Sequence, residues 1–189
     1  MRAFLRDILV TLVVAIVIFL LLQATFQSSV IVGCSMEPGL REGQRLLVNK
    51  AVYKFYEPER GNVIVFHPTN NRQADYIKRI IGLPGESVEI KQGTVYIHKN
   101  DEVFSLAESY IKEPPNNDFQ GGIIPENEYF VLGDNRNNSN DSRNGWTVRG
   151  EDIIGKAWLS IWPPDKWGLV PHYSFQEQLT FTKPHSQLP

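Results

Sequence analysis

The chain has 189 residues, with 19 Lys+Arg against 21 Asp+Glu, so it carries no basic field able to hold nucleic acid. With 42% hydrophobic, 21% charged and 11% aromatic side chains it is not a wholly disordered chain. A single cysteine, Cys34, excludes an intrachain disulfide framework and a cysteine-based zinc site.

The first element is apolar. Ile8 to Leu22 (ILVTLVVAIVIFLLL) has no charge, and Gln23, Ala24, Thr25 and Phe26 lengthen the uncharged run to residues 8–26. As helix this spans about 28 Å, close to the roughly 30 Å of a bilayer core. A buried core helix would show a polar stripe, and this run shows almost none. A cleaved signal peptide would need a shorter apolar region and a small-x-small site, whereas Ala24-Thr25-Phe26 ends on a bulky ring. The run reads as a retained transmembrane helix. Arg2 and Arg6 precede it, and the next positive residue is Arg41. The positive-inside rule therefore assigns residues 1–7 to the cytoplasm and residues 27–189 to the other side. Setting aside Arg2, Arg6 and Asp7 leaves 17 basic and 20 acidic residues in that outer part.

Beyond the helix, short runs rich in Val, Ile and Tyr alternate with turn signals. Strands are expected over Arg45–Asn49, Asn62–Phe66, Tyr76–Ile81, Ser87–Ile90, Thr94–Ile97, Tyr129–Leu132 and Ile153–Ile161. Gln92-Gly93 between two of them predicts a hairpin. Fourteen glycines and twelve prolines fit such a turn-rich chain. Residues 99–127, with Pro114-Pro115, Asn116-Asn117 and Gly121-Gly122, read as a loop-rich insert, and residues 171–189 as a peripheral tail. The fold class is mainly β: one N-terminal transmembrane helix, then a β-rich extracytoplasmic domain with a small insert.

Three segments can carry chemistry. Gly33-Cys34-Ser35-Met36-Glu37-Pro38-Gly39 follows the helix closely. Its plain reading is a turn that opens the domain. Its functional reading makes Ser35 a nucleophile on a glycine-rich loop whose amides face an oxyanion. A serine needs a base. His67, His98, His172 and His185 show no metal-ligand spacing and no Gly-x-Ser-x-Gly elbow, and Pro68 follows His67. In Asp75-Tyr76-Ile77-Lys78-Arg79-Ile80-Ile81, strand alternation puts Lys78 and Arg79 on opposite faces, so one charge meets an apolar layer unless both reach solvent. Periodicity does not say which. Chemistry favours Lys78, because arginine stays charged and cannot be a base. A neutral lysine at pH 7 costs about 4.6 kcal/mol from its reference pKa. Burial lowers a lysine pKa by about 3–5 pH units, enough to make it a usable base. The third segment runs from Gly133 to Arg143 (GDNRNNSNDSR). It reads as a polar loop or as a brace of hydrogen bonds behind a site. EF-hand spacing fails there, since Arg136 holds a ligand position and no glycine follows at the sixth.

Together, in this order behind an apolar helix, these segments resemble the type I signal peptidases, from the helix to about residue 160. Ser35-Met36-x-Pro38 is similar to the family's nucleophile box. Tyr76-Ile77-Lys78-Arg79-Ile80-Ile81-Gly82-Leu83-Pro84-Gly85-Glu86 is similar to its lysine box. Gly133-Asp134-Asn135 through Ser139-x-Asp141-Ser142-Arg143 is similar to its last box. The resemblance implies a serine endopeptidase that removes signal peptides from secreted preproteins after small residues at −1 and −3, through an acyl-enzyme. Ser35 would be the nucleophile and Lys78 the general base. Ser139 would orient the lysine amine, Asp141 and Arg143 would form an ion pair holding the loop, and Asp134, Arg136 and Met36 would support it. No metal and no cofactor is implied. The implied partners are preprotein signal peptides, which would add as a strand, and the lipid bilayer, with protein export machinery nearby and no nucleic acid. Exposed apolar residues would enter the bilayer, the aromatic candidates being Phe55, Tyr56, Trp146, Trp162 and Trp167. The location implied is a cell membrane, with a thylakoid membrane as the variant. Three positions depart from the family pattern. Gly33 lacks the hydroxyl some relatives place two residues before the nucleophile, so beside the Ser35 N–H the second oxyanion donor stays open, a backbone group being one candidate. Gly39 stands where threonine is common. Cys34 reads as a small filler beside the nucleophile.

Three other readings compete: a Ser-His-Asp hydrolase using His67, a non-catalytic anchored β-domain that binds extended peptides, and a repressor-type Ser/Lys autoprotease. The last would need a DNA-binding domain, for which this chain has no room.

Overall fold

The computed structural model describes residues 2–68, 74–175 and 180–181. Among the described residues, one α-helix, α1 (Arg2–Thr25), precedes thirteen strands. These are β1 (Phe26–Val30), β2 (Arg45–Asn49), β3 (Val63–Phe66), β4 (Tyr76–Gly82), β5 (Ser87–Lys91), β6 (Thr94–Lys99), β7 (Glu102–Ser105), β8 (Phe119–Ile123), β9 (Glu128–Leu132), β10 (Val148–Arg149), β11 (Ile153–Trp162), β12 (Gly168–Leu169) and β13 (Thr180–Phe181). All seven expected strands are present, within one or two residues of their expected ends. The fold class read from the sequence is therefore the one observed.

Helix α1 starts earlier than the uncharged run, because Arg2 to Asp7 also have helical preference, and it stops at Thr25. Phe26, expected to be its last residue, instead opens β1 and pairs with Asn49. Within Phe4–Thr25 an 18-residue stretch has mean hydropathy 2.8, and none of that stretch is buried against the rest of the chain. Apolar side chains that surround a helix on all sides and meet no protein need a lipid environment. Lys50 joins the helix end to the sheet: its backbone N–H donates to Thr25 O at 2.8 Å and its Nζ to Gln23 O at 3.1 Å. A cation there also suits the negative end of the helix dipole.

The strands form two antiparallel sheets. The larger runs β1-β2-β11-β3-β4-β9-β10, with β12 added to β11, and the smaller runs β13-β7-β6-β5-β8. Strand β4 lies inside the larger sheet, between β3 and β9, and its residues from Lys78 to Gly82 are all buried. Both its faces are covered, so alternation does not sort its side chains into core and solvent. Gln92-Gly93 makes the expected hairpin of β5 and β6, with both residues at positive φ (51° and 78°).

Residues 99–127 are less loop-like than expected. They supply β7 and β8, which complete the smaller sheet on β6 and β5. Their polar exposed faces and paired glycines hid the strand pattern. The tail expected to be peripheral begins inside the fold, where Phe175 is buried and Tyr173 packs against the same apolar cluster. Gly61 (φ 86°) makes this possible: a Cβ there would lie 1.7 Å from the Tyr173 carbonyl oxygen. Residues 176–179 and 182–189, with His185, lie outside the described residues.

Glu86 fastens the turn between β4 and β5. It is fully buried, accepts two hydrogen bonds of 2.8 Å from Arg60 Nη2, and accepts one of 2.9 Å from the Leu83 N–H. Removing one partner of a buried ion pair leaves the other uncompensated. Glu86→Ala is expected to lower unfolding stability by about 3 kcal/mol, with Glu86→Gln losing less than half of that. Denaturant unfolding of the full chain in micelles measures both, and a loss below about 1 kcal/mol for the alanine variant would contradict this role.

Candidate active site

Ser35 sits on the turn between β1 and β2. Gly33 enters it at φ 82°, a left-handed conformation natural to glycine. Met36, fully buried among Leu40, Leu46, Val48 and Val63, anchors the turn from beneath. Met36 O accepts the Leu40 N–H at 3.0 Å, and Cys34 O accepts the Glu37 N–H at 3.1 Å. The neighbouring residues are thus fixed while the Ser35 hydroxyl faces a cleft of about 710 Å³. Apolar residues including Ile31, Leu46, Val65 and Ile77 line much of the cleft, and Lys78 enters it from β4.

The Lys78 Nζ lies 2.7 Å from Ser35 Oγ and 3.0 Å from Ile77 O. Lys78 is only 5% exposed. Burial pulls its pKa down to about 8, while the carboxylates of Asp141 and Asp134 pull the other way. Deprotonation at pH 7 then costs about 1.4 kcal/mol, against nearly 5 for an exposed lysine. A neutral amine at this distance can accept the hydroxyl proton.

The adjacent cation is treated differently. Arg79, 1% exposed, donates from Nε and Nη2 to the two Asp134 oxygens at 2.8 and 2.7 Å, and from Nη1 to Gly61 O and Pro171 O. Strand alternation allows one buried charge or none; both are buried, because β4 is covered on both faces.

The loop after β9 closes over the Ser35 turn. Asn135 N–H donates to Ser35 O at 2.9 Å, and Asn135 Nδ2 donates to Cys34 O at 3.2 Å. Asn138 Nδ2 reaches Cys34 Sγ at 3.0 Å, which occupies that thiol as a packing partner. The approach requires glycine at position 133, where a Cβ would stand 2.3 Å from Ser139 Oγ and 2.5 Å from Ser35 O. The implied Asp141–Arg143 pair is present, with Arg143 Nε to Oδ1 at 2.8 Å and Nη2 to Oδ2 at 2.9 Å. Asp141 Oδ2 also accepts the Gly133 N–H at 3.1 Å.

One implied contact differs. The resemblance has Ser139 bonding to the lysine amine, whereas Nζ is bonded to Ser35 Oγ and Ile77 O, and the buried Ser139 Oγ has no hydrogen-bond partner. The histidines also separate. His67 Nδ1 meets Asp75 at 3.1 Å, and His67 is not among the residues lining the cleft. His98 reaches Glu89 across the smaller sheet at 2.8 Å. His172 is half-buried: its Nδ1 accepts the Val63 N–H, its Nε2 contacts Ala157 O, and burial lowers its pKa to about 4, which keeps it neutral at pH 7.

Sequence reasoning missed the Arg79–Asp134 pair and the partners of Arg136. The guanidinium of Arg136 is held by Glu108 at 2.5 Å on each of two nitrogens. Arg79 had a signal, a second cation in an apolar strand. Glu108 had none, being one acid in a polar segment.

The sequence matches the family described as signal peptidase, peptidase S26, over residues 4–162. A probable signal peptidase I-1 of Synechocystis is 38% identical over 180 residues, covering 91% of this chain and 90% of the relative. A probable signal peptidase I-2 of the same organism is 42% identical over 141 residues, covering 72% of this chain, which spans 63% of that relative's length. Signal peptidase IB of Staphylococcus aureus is 36% identical over 178 residues, covering 86% of this chain and 92% of the relative. Since the match runs from the helix through β11 and takes in nine-tenths of the I-1 relative, this chain belongs to the signal peptidase family, peptidase S26.

Proposed function

We propose that the chain removes N-terminal signal peptides from secreted preproteins, with Ser35 as nucleophile and Lys78 as general base. The observation that carries this reading is the buried Lys78 amine 2.7 Å from the Ser35 hydroxyl. The neutral amine takes the hydroxyl proton as Oγ bonds to the scissile carbonyl carbon. The protonated amine then gives that proton to the leaving nitrogen, the C–N bond breaks, and the mature chain departs. The amine next takes a proton from water, whose oxygen bonds to the acyl carbon; the C–Oγ bond breaks, Oγ regains a proton from the protonated amine, and the signal peptide leaves as its carboxylic acid. No cofactor enters the scheme. Asp134, Asp141 and Arg143 hold the loop that grips Ser35 O, and Met36 anchors the nucleophile turn from the core. Ser139 Oγ, buried beside Gly133 without a hydrogen-bond partner, would have to turn toward Nζ to steady the amine during turnover.

The apolar cleft suits an extended peptide with small side chains at −1 and −3. The membrane assists the encounter, because enzyme helix and signal peptide share one bilayer and the local substrate concentration rises. Arg2 and Arg6 favour a cytoplasmic N-terminus and a catalytic domain on the outer face, beside the export machinery. A cell membrane fits this topology, and a thylakoid membrane would serve equally. Phe55, Tyr56, Trp162 and Trp167 are exposed and available to the bilayer, whereas Trp146 packs against Phe66. A peptide-binding domain without catalysis would have no use for a desolvated amine on a hydroxyl, which lowers stability without adding affinity.

Ser35→Ala and Lys78→Met are each expected to reduce preprotein cleavage at least a thousandfold while leaving the unfolding transition in place. His67→Ala is expected to stay within threefold of wild type. Cleavage of a model preprotein by the three variants side by side tests this, and turnover retained in Lys78→Met would refute the pair. Because the base must be neutral, kcat/KM should fall about tenfold for each pH unit below about 8 and level off above it. A profile flat from pH 6 to 9 would contradict the assignment.

A further inference from the structure

The loop from Gly133 to Arg143 grips the nucleophile through the Asn135 N–H on Ser35 O. What holds that loop from outside is a segment of the smaller sheet's connection, between β7 and β8. Glu108 there is 5% exposed in its side chain and takes both ends of the Arg136 guanidinium. Arg136, with no exposed side-chain surface, also donates from Nε to Gly133 O at 3.0 Å. Its own carbonyl accepts Arg143 Nη2 at 2.5 Å. One guanidinium thus ties the residues on either side of Asp134 and Asn135 to a carboxylate in the other sheet's connection. Tyr110 extends the same brace. Its hydroxyl donates to Glu108 Oε1 at 2.6 Å, and its ring lies 4.3 Å from the Arg79 guanidinium that holds Asp134. Bidentate pairs fix orientation as well as distance, which a single contact would not.

We propose that Glu108, assisted by Tyr110, is a positioning residue for the nucleophile: through Arg136 it fixes the 133–136 turn, and so the Ser35 carbonyl, relative to Lys78. The proposal rests on the Ser35–Lys78 reading above. Glu108 touches neither substrate nor reacting atoms. Its loss loosens the grip on Ser35 by fractions of an ångström, and a misplacement of that order lowers the chemical step by about one to two powers of ten. The substrate cleft does not include Glu108, so binding is spared.

The test uses the full chain in micelles and separates kcat from KM on a model preprotein. Glu108→Gln keeps the shape but turns one oxygen of the fork into a second donor facing Arg136. It should lower kcat at least tenfold with KM within threefold. Because an unpaired buried arginine can unfold the protein, the second variant is Glu108→Leu with Arg136→Met, which replaces the pair by apolar side chains of similar size. It should melt within a few degrees of wild type yet show the same fall in kcat. A kcat within threefold of wild type in either variant that folds would overturn the proposal. Should neither fold, Tyr110→Phe, which removes one hydroxyl, decides: a three- to tenfold fall in kcat at unchanged KM supports the brace, and no fall overturns it. Ser35→Ala runs alongside: turnover in that variant would count against the nucleophile itself, whereas an inactive Ser35→Ala with unimpaired Glu108 variants would count against the brace alone.

Discussion

A lysine amine held out of water next to a hydroxyl is the constraint around which the other parts are arranged. Left in solvent, Lys78 would be protonated at neutral pH and unable to accept a proton. Burial on a strand covered on both faces moves its pKa most of the way toward neutrality. The nearby carboxylates work against this, and their distance from Nζ matters as a result. Asp134 is engaged by Arg79 and Asp141 by Arg143, so neither forms an ion pair with the amine. A carboxylate in direct contact would return Lys78 to its ordinary charged state.

Lys78 and Arg79 are neighbours in sequence with opposite fates. The arginine cannot lose its proton, so the interior accepts it only with a carboxylate, backbone carbonyls and two tyrosine rings around it. The lysine can lose its proton, and burial lowers its pKa to about 8, so the neutral form lies within about 1.4 kcal/mol at pH 7. The fixed charge thus ties β4 to the loop after β9, while the titratable one sits on the Ser35 hydroxyl, where the proposed chemistry needs it. Gly133 completes the arrangement, because any side chain there would push the loop away from the nucleophile's own carbonyl.

Much of this was legible in the residues. Strand runs such as Asn62–Phe66 and Thr94–Ile97 declare themselves by β-branched content and flanking turns, and the helix by its uncharged length. Ser35 and Lys78 could be singled out because a Gly-rich turn and a cation in an apolar strand are each locally odd. Three things were not legible. Whether β4 had one buried face or two depends on β3 and β9 as neighbours, a tertiary fact that periodicity does not encode. The strands β7 and β8 carry exposed glycines and charges, so their pairing is decided by β6 and β5 rather than by their own pattern. Glu108 is 28 positions from Arg136, and nothing local marks it as that residue's partner.

The helix, sheet and nucleophile turn are continuous in chain and in hydrogen bonds. Thr25 and Gln23 at the helix end are bonded to Lys50 at the end of β2, and Ser35 follows β1 by one short turn. The most direct test of the central claim is the titration of Lys78 itself, by 15N-lysine NMR of the full chain in micelles with Lys78→Met to assign the resonance. The account predicts a midpoint near 8; a midpoint at 10.5, the ordinary lysine value, would contradict it.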